Sequence, residues 1–373
     1  MGKIVFVILT CLFLVSLVSA QEVYEELKEI VPADVLQILS EEDRTIDGTD
    51  TVVHVQHIEA QIQGGSQKGR VVIFENELVP LEVGDSVYLN YLKTINGDEY
   101  FLFKDFKRQG PLFTLLLLFV GLLIFFTRMQ GVRAVVSLGL SVLAILFLLV
   151  PALLAGYNPA LASAGISTLI LALVLFITHG VHPRSVIAFA GTVAAVVATC
   201  VVAWIAVDVL KLTGFSSDAA VYLNFSTNGR LDFAGLLLGS IIIGILGVLD
   251  DVSITQASVV RELKAANAAL SVRELYVRAI NVGKDHIGSL VNTLALAYIG
   301  VSLPLVLLYA TASAELSLTL NQEIVAAELV RIIVGSIGLV LAIPLTTIIA
   351  AWWYASHEAD EPGRGKHSHS HVH

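Results

Sequence analysis

Seven apolar runs follow Gly110, and each is long enough to form a helix that crosses a lipid bilayer. A hydrocarbon core about 30 Å thick requires about 20 helical residues. The runs are Pro111 to Thr127, Ala134 to Leu154, Ala160 to Thr178, Ser185 to Leu210, Phe233 to Leu249, Ile287 to Tyr309 and Leu329 to Trp353. The chain is 56% hydrophobic and 14% charged, with a mean hydropathy of +0.80, whereas a soluble domain is about 25% charged. We predict a bundle of about seven transmembrane helices over residues 111–355.

Basic residues are distributed as expected for seven passes that begin outside the cytoplasm. The predicted inner loops and tail carry Arg128, Arg133, Arg184, Arg261, Lys264, Arg273, Arg278, Lys284, Arg364 and Lys366. The outer loops carry Lys211 and Arg230, and Arg331 lies at the outer end of the last helix. Because Lys and Arg accumulate on the cytoplasmic side, the C-terminus is predicted to be cytoplasmic.

Residues 1–20 have the pattern of a secretory signal peptide. Lys3 precedes an apolar stretch, and the small residues Val18, Ser19 and Ala20 form a cleavage site before Gln21. The alternative is an uncleaved anchor helix. In either case the following segment is exported, which predicts a multi-pass protein of a prokaryotic inner membrane with an extracytoplasmic N-terminal domain.

Residues 21–110 are predicted to form a small all-β domain. Val87, Leu89 and Tyr91 alternate with polar neighbours, and Gly-rich turns separate the apolar stretches. We expect about five strands that close into a small barrel, for which the oligonucleotide/oligosaccharide-binding type is a candidate. The segment carries 18 acidic and 8 basic residues, a balance that argues against nucleic acid as a partner. Either a stabilising or partner-docking cap, or capture of an envelope ligand, fits this domain.

The fifth apolar run combines small residues with two carboxylates. Gly235, Gly239, Gly244 and Gly247 have the spacing that lets neighbouring helices approach closely. Asp250 and Asp251 follow, and ionisable groups at a membrane span suggest cation binding or proton transfer. A position at the cytoplasmic interface, with a capping role only, is the alternative. The sequence does not favour either carboxylate over the other.

Residues 254–282 are predicted to form two amphipathic cytoplasmic helices. Ser253 with Gln256, and Ser271 with Glu274, have the spacing of capping boxes. Such a pair either lies on lipid headgroups or docks against a protein partner.

The sixth run begins with charged residues and continues with polar ones. Asp285 beside His286 can relay a proton, or can simply begin a helix. Asn292 and Thr293 lie inside the span, where hydrogen bonds must be satisfied within the protein. Interhelical hydrogen bonding and an ion or substrate pathway both fit these residues. Pro304 and Pro344 are expected to interrupt the last two helices.

Two segments of the chain resemble the YibE/F-like family of multi-pass membrane proteins. The segments are GILGVLDDVSI from Gly244 to Ile254, and GKDHIG from Gly283 to Gly288 followed by VNTLALAYIG from Val291 to Gly300. The resemblance is expected to cover most of the mature chain, including the β-domain, and it implies the architecture without a biochemical activity. Lys284 stands where the family pattern favours arginine.

Few features of the chain suggest a metal, a cofactor or an enzyme. His179 and His182 could hold a metal, and the tail alternates as His367, His369, His371 and His373, which can bind divalent ions weakly. Phosphate-loop, zinc-protease, serine-hydrolase and dinucleotide-binding motifs are missing from the sequence. We therefore expect neither an enzyme nor a bound cofactor.

Two functions remain open for the predicted bundle. The first is a permease or channel-like transporter of a small solute or ion, with Asp250, Asp251, Asp285, His286, Asn292 and Thr293 along its pathway. The second is a non-transporting scaffold or sensor, in which the exported domain binds a partner or envelope component. A polar cavity reached by these side chains would favour the first.

Overall fold

The computed structural model describes residues 27–45, 52–94, 97–311 and 315–357. The chain divides into two compact units, Met1–Phe119 and Val120–His373. The predicted signal peptide and the four tail histidines lie outside the described residues.

The first unit contains an antiparallel sheet of five strands, as the sequence predicts. The strands are β1 (Leu27–Thr45), β2 (Val52–Ile62), β3 (Val71–Asn76), β4 (Ser86–Lys93) and β5 (Glu99–Phe106). Their order is β3-β2-β1-β4-β5. The long strand β1 pairs with β4 through its first half and with β2 through its second. Alternate residues such as Val87, Leu89 and Tyr91 are buried, because successive side chains of a strand point to opposite faces.

The sheet curls until its two edge strands meet. β3 and β5 lie in contact, and Arg70, which precedes β3, donates a hydrogen bond to Glu99 of β5 at 2.5 Å. The Arg70 guanidinium also lies over the Phe101 ring, 5.6 Å from its centroid. No hydrogen-bonded ladder joins β3 to β5 within the described strands. The domain is therefore a barrel left open between these two strands.

The second unit is helical. The helices among the described residues are α1 (Gln109–Thr127), α2 (Met129–Leu154), α3 (Pro159–His179), α4 (Pro183–Val209), α5 (Asp218–Ser226), α6 (Phe233–Ala266), α7 (Val272–Val301), α8 (Leu303–Thr311), α9 (Leu316–Asn321) and α10 (Glu323–Ser356). Within the described residues, six helices are long and apolar enough to cross a membrane, and the bent pair α7 and α8 makes a seventh possible span.

Helices α6 and α10 form the centre of the bundle. Each packs against the other and against α4 and α7, while α3 packs against α6. Their shared core includes Ile245, Leu249, Leu339 and Ile343, all of which are buried. α1 has no buried residue, as expected for an apolar helix whose surroundings are lipid.

Helix α6 extends well beyond its predicted end. The fifth span was expected to finish at Leu249, but the helix continues without a break to Ala266. Ser253 therefore does not cap a helix. It is buried in the middle of α6 and accepts a hydrogen bond from the Thr346 hydroxyl at 3.1 Å. The helix continues past this point because the Ser253 hydroxyl has a hydrogen-bond partner on a neighbouring helix. The local sequence cannot reveal that partner.

The two predicted cytoplasmic helices are extensions of membrane-spanning ones. The first belongs to α6 and the second to α7, with a short turn between them. Lys264 fixes that turn by donating to the carbonyls of Ala268 and Leu270. The capping box of Ser271 and Glu274 at the start of α7 is confirmed.

The sixth predicted span is broken at Ser302. α7 and α8 meet there at an angle of 66°. Pro304 follows at the start of α8, and its ring nitrogen cannot donate the hydrogen bond that would continue α7. Pro344, in contrast, lies inside α10 without interrupting it, so the expected break in the last helix is wrong.

Candidate functional site

A cavity of about 300 Å³, with several polar side chains in its lining, lies between α6, α7 and α10. We call it the Asp251 cavity. Its lining residues are Asp251, Val252, Thr255, Gln256, Gly283, His286, Ser289, Leu290 and Ile343. It unites side chains from three helices that are far apart in sequence, and it includes a carboxylate, an imidazole, two hydroxyls and an amide.

The neighbouring aspartates occupy different environments. Asp251 is exposed and lines the cavity. Asp250 is only 8% exposed, and its Oδ1 accepts a hydrogen bond from the backbone N–H of Asp251 at 2.9 Å. The cavity lining includes Asp251 and does not include Asp250. Asp251 is the carboxylate available to a ligand.

Only some of the polar residues of α7 line this cavity. His286 and Ser289 line the Asp251 cavity, whereas Asp285, Asn292 and Thr293 are exposed outside its lining. The Thr293 hydroxyl donates to the Ser289 carbonyl at 2.9 Å, a bond within the helix. The structure therefore brings two of the six predicted pathway residues, Asp251 and His286, to one cavity.

His179, at the end of α3, is a further ionisable neighbour of this region. It interacts electrostatically with both Asp251 and Arg184. The sequence paired His179 with His182 as a possible metal site. The described part of the chain contains no cluster of three or more His, Cys, Asp or Glu side chains suited to a metal ion.

Gln256 forms the wall of the cavity and joins three helices. Its Nε2 donates to the Ala279 carbonyl of α7 at 2.9 Å and to the Thr347 hydroxyl of α10 at 2.8 Å. Gly283 permits this close packing, because a Cβ there would lie 2.7 Å from Ile343 and 3.1 Å from the Gln256 amide. The sequence analysis gave Gln256 a capping role, and only the tertiary contacts identify its position at the cavity.

A tightly packed layer closes the Asp251 cavity further along α7. Leu294 is buried there, and a Cβ added at Gly335 of α10 would lie 2.8 Å from Ile245 and 3.3 Å from Leu294. One turn further, a Cβ at Gly244 would overlap the Tyr298 hydroxyl. Glycine is required on both facing helices, which leaves little space for water between them.

A second cavity, of about 370 Å³, lies on the other side of this layer. We call it the Tyr309 cavity. Its lining residues are Ile299, Ser302, Leu305, Val306, Tyr309, Ala310, Thr319, Val325, Glu328, Leu329 and Ile332. It forms at the break between α7 and α8, and its carboxylate, Glu328, is paired with Arg331. Pro304 marks the helix break that creates this cavity.

At Gly235 and Gly239 the predicted small-residue helix packs against its neighbour as its spacing suggests. A Cβ at Gly239 would overlap the Ser163 hydroxyl of α3, and one at Gly235 would lie 3.2 Å from Pro159. Nothing lies within 4 Å of a Cβ at Gly247. The close approach therefore joins α6 to α3 and does not extend to Gly247.

The helices and cavities define a polytopic membrane protein with an antiparallel sheet domain ahead of its helical bundle. A model of the YibE/F-like protein family matches residues 115–356. The match covers well over half of the chain, and the protein belongs to this family. The β-domain, to which the predicted resemblance extends, lies outside the matched residues. No curated protein and no solved structure matches the chain.

Proposed function

We propose that this protein transports a small solute or ion across a prokaryotic inner membrane along α7. The observation that carries the proposal is the pair of cavities on one helix, separated by a single packed layer. Alternating opening of two cavities around a closed layer is the usual geometry of a carrier. The proposal assigns both cavities to binding and passage and not to catalysis. A scaffold would require neither.

The chemistry of the Asp251 cavity favours a cation or proton as the transported or coupling species. Asp251 supplies a carboxylate, His286 supplies an imidazole, and Thr255 and Ser289 supply oxygen ligands. In the predicted orientation this cavity opens toward the cytoplasm and the Tyr309 cavity toward the exterior. The glycines of the closed layer contribute no side chains to the contact between its helices, so a small shift of α7 would open the layer.

The test is proton flux in liposomes that contain the purified protein and an internal pH-sensitive dye. A potassium gradient with valinomycin supplies the driving potential. We expect Asp251→Asn to reduce the flux at least tenfold, because the amide cannot bind or release a proton. Asp285→Asn makes the same change on α7 outside the cavity lining and should retain most of the flux. Equal rates for wild type, Asp251→Asn and protein-free liposomes would contradict the proposal.

A further inference from the structure

Helix α7 has a polar face that the bundle does not cover. Asp285, Gly288, Asn292 and Ala295 recur at spacings of three and four residues, so they form one seam along the helix. Leu294 and Gly283, which are buried, lie on the opposite side. The seam therefore points away from α6 and α10.

Asn292 stands near the middle of this seam. Its side chain is exposed, and none of the described residues forms a hydrogen bond with it. In a lipid environment an unpaired carboxamide is costly, because hydrocarbon offers neither donors nor acceptors. The side chain therefore requires a polar partner at its own depth in the membrane.

We propose that the partner is a second copy of this chain, docked through the α7 seam in a parallel two-fold dimer. All copies insert with one orientation, so Asn292 of each copy lies at the same depth. A carboxamide both donates and accepts, and two of them satisfy each other. An Asn at this position of a heptad seam is also the residue that sets the register of two-stranded parallel coiled coils.

Other features of the seam fit a self-complementary contact. Nothing lies within 4 Å of a Cβ at Gly288, so this glycine has no packing role within one chain, and small residues allow two helices to approach. Lys284 and Asp285 are adjacent, exposed and without an ion pair among the described residues. Across a two-fold axis each of these charges can meet its opposite.

Helix α1 is a poor alternative occupant of the seam. It is apolar along its length, and its threonines are already engaged. Thr114 donates to the Gly110 carbonyl and Thr127 to the Leu123 carbonyl. Neither threonine therefore has a free hydroxyl donor for the carbonyl oxygen of Asn292.

The first test is oxidative crosslinking of the full chain in native membranes, in a Cys11→Ser, Cys200→Ser background. We expect Asn292→Cys to give a crosslinked dimer. Val197→Cys is the control, because Val197 is 58% exposed near the middle of α4 and outside the seam. No dimer from Asn292→Cys above the Val197→Cys level would overturn the proposal.

The second test measures dimer dissociation in detergent by single-molecule photobleaching. Asn292→Leu should raise the dissociation constant by roughly tenfold, while Asn292→Gln, which keeps the amide, should have a smaller effect. An unchanged melting temperature would show that the bundle still folds. If the Asn292→Leu dimer were as stable as the wild-type dimer, the proposed contact through the seam would be refuted. Because Asn292 lies outside both cavity linings, these results are independent of the Asp251→Asn flux.

Discussion

At the residue scale, the β-domain contains an ionisable pair that the sequence did not single out. His54 of β2 and Asp43 of β1 are directly paired in the ladder, with Nδ1 2.8 Å from the Asp43 Oδ1. The hydrogen bond with Asp43, and the nearby charge of Glu41, raise the pKa of His54 above its usual value. The pair therefore stabilises the protonated imidazole and joins the far ends of β1 and β2.

The sign of the pH dependence follows from this raised pKa. The contribution of His54 to stability is fully present below its unfolded pKa of about 6.5, and is lost as the pH rises through the higher folded pKa. We expect Asp43→Asn to lower the pKa of His54 in an NMR titration of histidine-labelled protein. Asp34→Asn removes the same charge seven residue pairs away along β1 and should leave the titration unchanged. Equal titrations in both variants would contradict the assigned cause.

At the element scale, glycines set how closely the central helices approach. A Cβ at Gly191 of α4 would lie 2.9 Å from the Thr346 Cα of α10, and a backbone atom cannot move aside as a side chain can. One at Gly338 of α10 would overlap the Thr199 hydroxyl of α4. Each helix thus provides a glycine for the other, which explains why α4 and α10 share a long contact.

This packing predicts opposite outcomes for one substitution at two positions. Gly191→Ala should destabilise the protein by about 1–3 kcal/mol, because overpacking forces the helices apart. Gly247→Ala meets open space and should be neutral or stabilise by up to about 1 kcal/mol, because alanine favours the helix. Thermal unfolding in detergent measures both. Similar melting temperatures for the two variants would show that the α4–α10 contact is looser than described.

At the scale of the whole molecule, the chain has two kinds of core. The sheet buries its own cluster, which includes Val31, Ile58, Leu89 and Phe101. The helical clusters share no residue with it. A domain with a complete core of its own can fold alone.

We therefore expect residues 21–110 to be soluble and folded without the bundle. Circular dichroism should show β structure and cooperative melting in the absence of detergent. Residues 111–373 should require detergent, because their outer surface is apolar. A fragment 21–110 that aggregates or lacks a melting transition would mean that the sheet depends on the bundle.

The architecture was predictable because its signals are local. Apolar length identifies a span, and alternation such as Val87, Leu89 and Tyr91 identifies a strand, without knowledge of any neighbour. Helix ends were less predictable. Ser253 has the local pattern of a cap, but the hydrogen bond from Thr346, 93 residues away, keeps it inside α6.

The sequence by itself determined the solvent of each part of this protein, since the hydrophobicity of a run decides whether lipid or water surrounds it. It also indicated a family and a set of polar residues. Only the tertiary structure decided that Asp251 and His286 share a cavity while Asp250 and Asn292 do not. The reason is that a side chain's direction depends on the rotation of its helix against its neighbours, which contacts between distant residues fix.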